Sequence, residues 1–92
     1  MLKVLIADDE PLVQIGLKSM IEWNALGFEL CTAASNGEDA YRIVEAQMPE
    51  IVIADVQMPC CTGLELAKRC RETYGKLPVF IILSGYEDFT YA

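Results

Sequence analysis

Four short apolar runs divide the chain. Residues 2–7 (LKVLIA) are apolar except for Lys3, and residues 51–54 (IVIA) and 79–83 (VFIIL) are apolar throughout. Residues 28–34 (FELCTAA) instead alternate, with Phe28, Leu30 and Thr32 on one face. Continuous apolar runs of this length suit strands buried on both faces, whereas alternation suits a strand at the edge of a sheet.

The segments between them carry helical spacing. From Pro11, apolar residues recur at Val13, Leu17, Met20 and Ile21, the i, i+4, i+7, i+8 pattern of one helix face. Pro11 itself suits the first helical position. A second helix is predicted after Ser35-Asn36-Gly37, with Ala40, Ile43 and Val44 inward, ending before Pro49. A third opens at Thr62-Gly63-Leu64-Glu65, a capping-box spacing, and is expected to bury Leu66, Ala67, Cys70 and Tyr74. The last residues, YEDFTYA, read as the first turns of a fourth helix. Trp23, Leu26 and Phe28 read as core residues at the sheet edge.

The order β-α-β-α-β-α-β-(α) predicts a parallel sheet with right-handed crossovers, a doubly wound α/β domain. In such sheets, sites form beyond the carboxyl ends of the strands, where the strand order reverses.

Composition narrows the function. The 92 residues suffice for one small domain, and 53% hydrophobic content supports a packed core. Seven basic against fourteen acidic residues give a net charge of −7, which disfavours nucleic acid as a ligand of this domain. With no histidine, imidazole acid-base chemistry is excluded. Cys31, Cys60, Cys61 and Cys70 match no zinc or redox spacing and are expected to be reduced thiols in a cytoplasmic protein. The adjacent Cys60-Cys61 pair reads as two small loop side chains. No apolar run is long enough for a membrane span, and the start, MLKVLIADDE, is not a signal peptide.

The chemistry is concentrated at Asp8-Asp9-Glu10, directly after the first strand, and at Asp55, directly after the third. Glu10, and less well Asp9, could simply favour the positive end of the first helix. That reading leaves Asp55 unexplained. If the first and third strands are neighbours, three carboxylates converge, and they must either take up protons or share a cation. Oxygen ligands without imidazole or thiolate point to magnesium or manganese. Ser84 and Gly85, just past the fourth strand, would add a hydroxyl and a free amide, both suited to anionic oxygen. A crevice of this kind suits a phosphoryl group.

At these residues the sequence resembles a known family. VLIADDEP, IVIADVQMP followed by TG, and VFIILSG are similar to the three site motifs of the receiver domains of bacterial response regulators. The resemblance spans residues 1–92, as one receiver domain, and implies the flavodoxin-like strand order 2-1-3-4, which is taken over from the family. It implies that Asp55 accepts a phosphoryl group from the phosphohistidine of a sensor histidine kinase. It further implies that Asp9 ligates magnesium directly, Asp8 mainly through water, and Gln57 through its backbone carbonyl. Ser84 becomes the switch hydroxyl, with the Gly85 amide beside it. Residues IEWNALGFE and SGYEDFTYA resemble receivers attached to an AraC-type DNA-binding domain, so a transcription-controlling output domain is implied in the full-length protein. A homodimer is a further expected partner.

Two features depart from the family. Cys60 and Cys61 stand where other side chains are usual. The family's fifth strand, with a lysine that contacts the phosphoryl group, and its fifth helix have no counterpart, and Lys68 and Lys76 lie on the wrong segments to replace that lysine. Strand starts near residues 2, 28, 51 and 79 suggest a repeat of roughly 25 residues, so the chain is expected to be a fragment incomplete at its C-terminus. Val79–Leu83 would then be an unprotected sheet edge prone to pair with another copy. The competing functions are a haloacid dehalogenase-like aspartyl-phosphate phosphatase, a flavodoxin-type flavin module and a degenerate receiver that only binds partners. The first would want Asp-x-Asp, and the second a neutral phosphate loop, where this chain has Asp-Asp-Glu. The set of Asp8, Asp9, Asp55 and Ser84 argues against the third. The chain is read as a phosphoacceptor, not a turnover enzyme.

Overall fold

The computed structural model describes residues 1–58 and 61–83. Among these, the elements are β1 (Leu2–Ala7), α1 (Pro11–Met20), a short 3-10 turn (Asn24–Leu26), β2 (Phe28–Leu30), α2 (Gly37–Gln47), β3 (Ile51–Asp55), α3 (Gly63–Tyr74) and β4 (Val79–Leu83). The strands form one parallel sheet in the order β2-β1-β3-β4. This is the doubly wound order 2-1-3-4 expected for a flavodoxin-like receiver fold. The residues expected to begin a fourth helix lie outside the described residues.

The winding follows from that order. The step from β1 to β2 runs in one direction along the sheet, and the steps β2 to β3 and β3 to β4 run in the other. Right-handed crossovers therefore place α1 on one face and α2 and α3 together on the opposite face. Side chains alternate accordingly. Leu5, Ala7, Val52 and Ala54 join Ala40, Val44, Leu66 and Cys70 in the main core, with Phe80 and Ile82 packed against it. Val4, Ile6 and Ile53, buried but one residue out of phase, face the other way.

The helix starts agree with their chemistry. Asn36 caps α2 by accepting the Asp39 amide at 2.8 Å. Thr62 and Glu65 form the full capping box, with both reciprocal bonds present. Met48, in the left-handed region at φ 49°, ends α2 just before Pro49.

Several expectations need correction. The alternating segment 28–34 is a regular strand only to Leu30. Beyond it, the Cys31 amide bonds the Val4 carbonyl and the Ala34 amide bonds the Ile6 carbonyl, so three residues advance against two on β1. That extra residue interrupts the ladder before it re-forms at the isolated Ala7–Ala34 bridge. The side chains change phase with it: Cys31 and Ala34 are buried and Thr32 is exposed. On α1, Val13, Leu17 and Ile21 are half-buried but Met20 is exposed. At about 100° per residue the inward direction runs through Gln14, Leu17 and Ile21, leaving Met20 on the flank of the last turn. Leu26 is also exposed. The place beside the sheet edge is filled by Trp23 and Phe28, whose rings meet edge to face at 6.2 Å, with the indole N–H donating to the Leu17 carbonyl.

Cys31, Cys61 and Cys70 are buried free thiols, and Cys60 lies outside the described residues. Burial pushes the Cys70 thiol up to about 11, so it carries no thiolate reactivity at neutral pH.

Candidate phosphoryl and metal site

The site is assembled by sheet register. Ala7 of β1 pairs with Ala54 of β3, so the next residues, Asp8 just past β1 and Asp55 at the last position of β3, fall on the same rung. Asp9 follows Asp8 toward α1. One carboxylate oxygen from each of Asp8, Asp9 and Asp55 lies within 4.8 Å of the others. Glu10 is not part of this set: it occupies the N-cap of α1 and makes no side-chain cap bond. The attraction of an acidic group to a helix start therefore does not account for the convergence.

The three carboxylates sit in different surroundings. Asp8 is 3% exposed, Asp55 half-buried and Asp9 exposed. Asp8 Oδ1 accepts the Glu10 amide at 2.9 Å, and Asp55 Oδ1 accepts the Gln57 amide at 3.1 Å. Burial raises the Asp8 pKa, reinforced by the charges of Asp55, Asp9 and Glu10 and opposed by the Glu10 N–H bond. A buried carboxylate facing two more is relieved by a proton or by a cation. The donor set is oxygen only, which fits a small hard dication and not a thiophilic one. Ser84 and Gly85 lie outside the described residues. Lys68 is exposed on α3, and Lys76 precedes β4, at the opposite end of the sheet from the carboxylates.

Two further residues support the site in ways that the motifs did not specify. Gln14, on the inward stripe of α1, donates its side-chain amide to the Asp8 carbonyl, to the Ala34 carbonyl at 3.1 Å and to Ser35 Oγ at 3.4 Å. A lone polar residue on an otherwise apolar helix face was its only signal. Gly63 is the second. Its amide donates to the Val56 carbonyl, and a Cβ at this position would collide with the carbonyl oxygen of Asp55. The start of α3 thus rests directly on the backbone that carries Asp55.

Because the obstructing atoms are backbone, Gly63→Ala forces the helix or the Asp55 peptide to move. The expected cost is about 1–3 kcal/mol. Thermal unfolding should register it as a fall of roughly 4–8 °C per kcal/mol. An unchanged melting temperature would show that the helix start is free to shift.

A cleft of about 460 Å³ between Lys18, Trp23 and Glu29 lies beside β2, away from the carboxylates. A phosphoryl group needs converging charge more than enclosed volume, so the acidic cluster remains the candidate site. Among the described residues no helix is long and apolar enough to cross a membrane.

Known proteins share this architecture. Residues 4–92 match the response regulator receiver domain. The chain is 44% identical over 92 residues to the transcriptional regulatory protein YesN of Bacillus subtilis, covering all of this chain and 25% of that protein. It is 36% identical over 91 residues to the transcriptional regulatory protein HptR of Staphylococcus aureus, covering 99% of this chain and 35% of that one. It therefore spans about a quarter to a third of these relatives. Among solved structures, the receiver domain of the response regulator AraT from Geobacillus stearothermophilus superposes with a TM-score of 0.86 at 37% identity, covering 98% of this chain and 69% of that one. A two-component transcriptional regulator AraC from Clostridium phytofermentans gives 0.85 at 35% identity, covering 100% and 73%. With the fold, the strand order and the sequence match in agreement, the chain belongs to the response regulator receiver domain family, whose members are signalling domains.

Proposed function

We propose that this chain is the phosphoacceptor module of a two-component system and that Asp55 is the residue phosphorylated. The observation that carries this reading is the Ala7–Ala54 register, which sets Asp55 on the same rung as Asp8 with the carboxylates gathered around one point. A carboxylate oxygen of Asp55 attacks phosphorus, the P–N bond of the donor phosphohistidine breaks, and the imidazole leaves with the electron pair. Asp8, Asp9, Asp55 and the Gln57 carbonyl would hold magnesium, or manganese in its place. Bound there, such a cation would offset the negative charge of the transferring group. The Ser84 hydroxyl and the Gly85 amide receive phosphoryl oxygens. The donor is a sensor histidine kinase in the cytoplasm. The full-length protein carries a DNA-binding output domain whose activity, and pairing with a second copy, follow phosphorylation. The transcriptional relatives support that part of the reading.

A small phosphodonor such as phosphoramidate tests the core of this. With magnesium, the 92-residue chain should gain one phosphoryl group per molecule by intact mass and lose it slowly. Continuous hydrolysis of phosphomonoesters would instead favour the haloacid dehalogenase-like phosphatase.

A further inference from the structure

We infer that Gln14 is a positioning residue for the cation site, acting through the backbone of Asp8; this rests on the metal-binding role proposed above for Asp8, Asp9 and Asp55. Gln14 reaches the site from α1, and its three partners are two carbonyl oxygens and a hydroxyl. All three can accept, so the amide nitrogen, not the amide oxygen, must face them. Together the bonds close a ring around residue 8. The Asp8 amide donates to the Ala34 carbonyl, that carbonyl also accepts from Gln14, and Gln14 donates to the Asp8 carbonyl. Among the described residues no other group donates to the Asp8 carbonyl.

The ring matters because regular pairing has stopped there. Asp8 lies past the end of β1, and on its β2 side only the isolated Ala7–Ala34 bridge remains of the ladder. With its N–H and its C=O both held, Asp8 has its backbone constrained, and with it the direction in which its buried side chain leaves the main chain. A neutral donor is also the right chemistry for this place. It satisfies two carbonyls without bringing a positive charge that would compete with a cation, or a negative one that would add to the repulsion. Residues that orient a metal ligand in this way commonly affect affinity by about 10–100-fold.

Gln14→Met keeps the length of the side chain and removes the donor. Calorimetric titration should show magnesium binding weakened about tenfold or more. The magnesium concentration for half-maximal phosphoryl uptake should rise by the same factor, while the rate at saturating magnesium stays that of the parent. A residue that only supports the fold would lower the melting temperature and leave magnesium affinity alone. Gln14→Met that folds and binds magnesium like the parent overturns the inference. If that variant does not fold, the parent decides: the Gln14 side-chain amide proton resonances should shift on adding magnesium, and resonances that stay in place overturn it. A parent chain that binds no magnesium overturns the metal-site reading itself, and this inference with it.

Discussion

Asp55→Asn is expected to abolish phosphoryl uptake altogether while leaving the fold intact. The substitution keeps the planar side chain and the oxygen that accepts the Gln57 amide. It removes the anionic oxygen that must attack phosphorus, and an amide is no substitute nucleophile. The neighbours cannot stand in. Asp8 is 3% exposed with one oxygen engaged by the Glu10 amide, and Asp9 lies one residue further from the sheet. The same change removes one of three converging negative charges, so without divalent cations Asp55→Asn should melt at a temperature no lower than the parent's. Intact mass after incubation with phosphoramidate and magnesium checks the first expectation, and melting in chelator checks the second. Label retained by Asp55→Asn would move the acceptor to Asp8 or Asp9.

The sheet and the acidic cluster were legible in the sequence for one shared reason. A strand buried on both faces writes itself as an unbroken apolar run, and the first charged residue after such a run marks the carboxyl end of the strand. Val4 through Asp8 and Val52 through Asp55 both read this way. The helix starts were equally legible, because Asn36 and Thr62 cap through bonds to residues three positions on. What pattern could not give was the exact rung. That Ala7 faces Ala54 depends on pairing between segments 47 residues apart, which no local signal encodes. The interruption after Leu30 was hidden because Cys31, Thr32, Ala33 and Ala34 are small enough to fit either phase of a strand. Met20 and Leu26 misled for another reason. Apolar spacing marks a stripe on a helix but not its centre, and here Gln14, a polar residue, lies nearer the centre than Met20 does. The strand order itself came from resemblance. Right-handed crossovers explain where the helices go once the order is known, but they do not select it.

Magnesium should stabilise the chain, and its effect should grow as pH rises. A cation bound only by the folded state contributes about 2.7 kcal/mol at 100 times its dissociation constant. The pH dependence follows from Asp8, whose pKa in the folded chain is raised above the 3.8 of an unperturbed aspartate, first by burial and then by Asp55, Asp9 and Glu10. A raised carboxyl favours folding while it is protonated. In chelator its contribution is therefore full below 3.8 and is lost as pH climbs through the raised value. Magnesium acts in the opposite sense, because it competes with the proton for the same oxygens and binds the ionised form. Melting curves with and without magnesium should thus converge in acid and separate across the titration of Asp8. Asp8→Asn removes both effects at once: it should flatten the chelator curve over this window and narrow the gap that magnesium opens. Curves that run parallel across the whole range, or a gap that Asp8→Asn leaves unchanged, would show that the buried carboxylate takes no part in holding the ion.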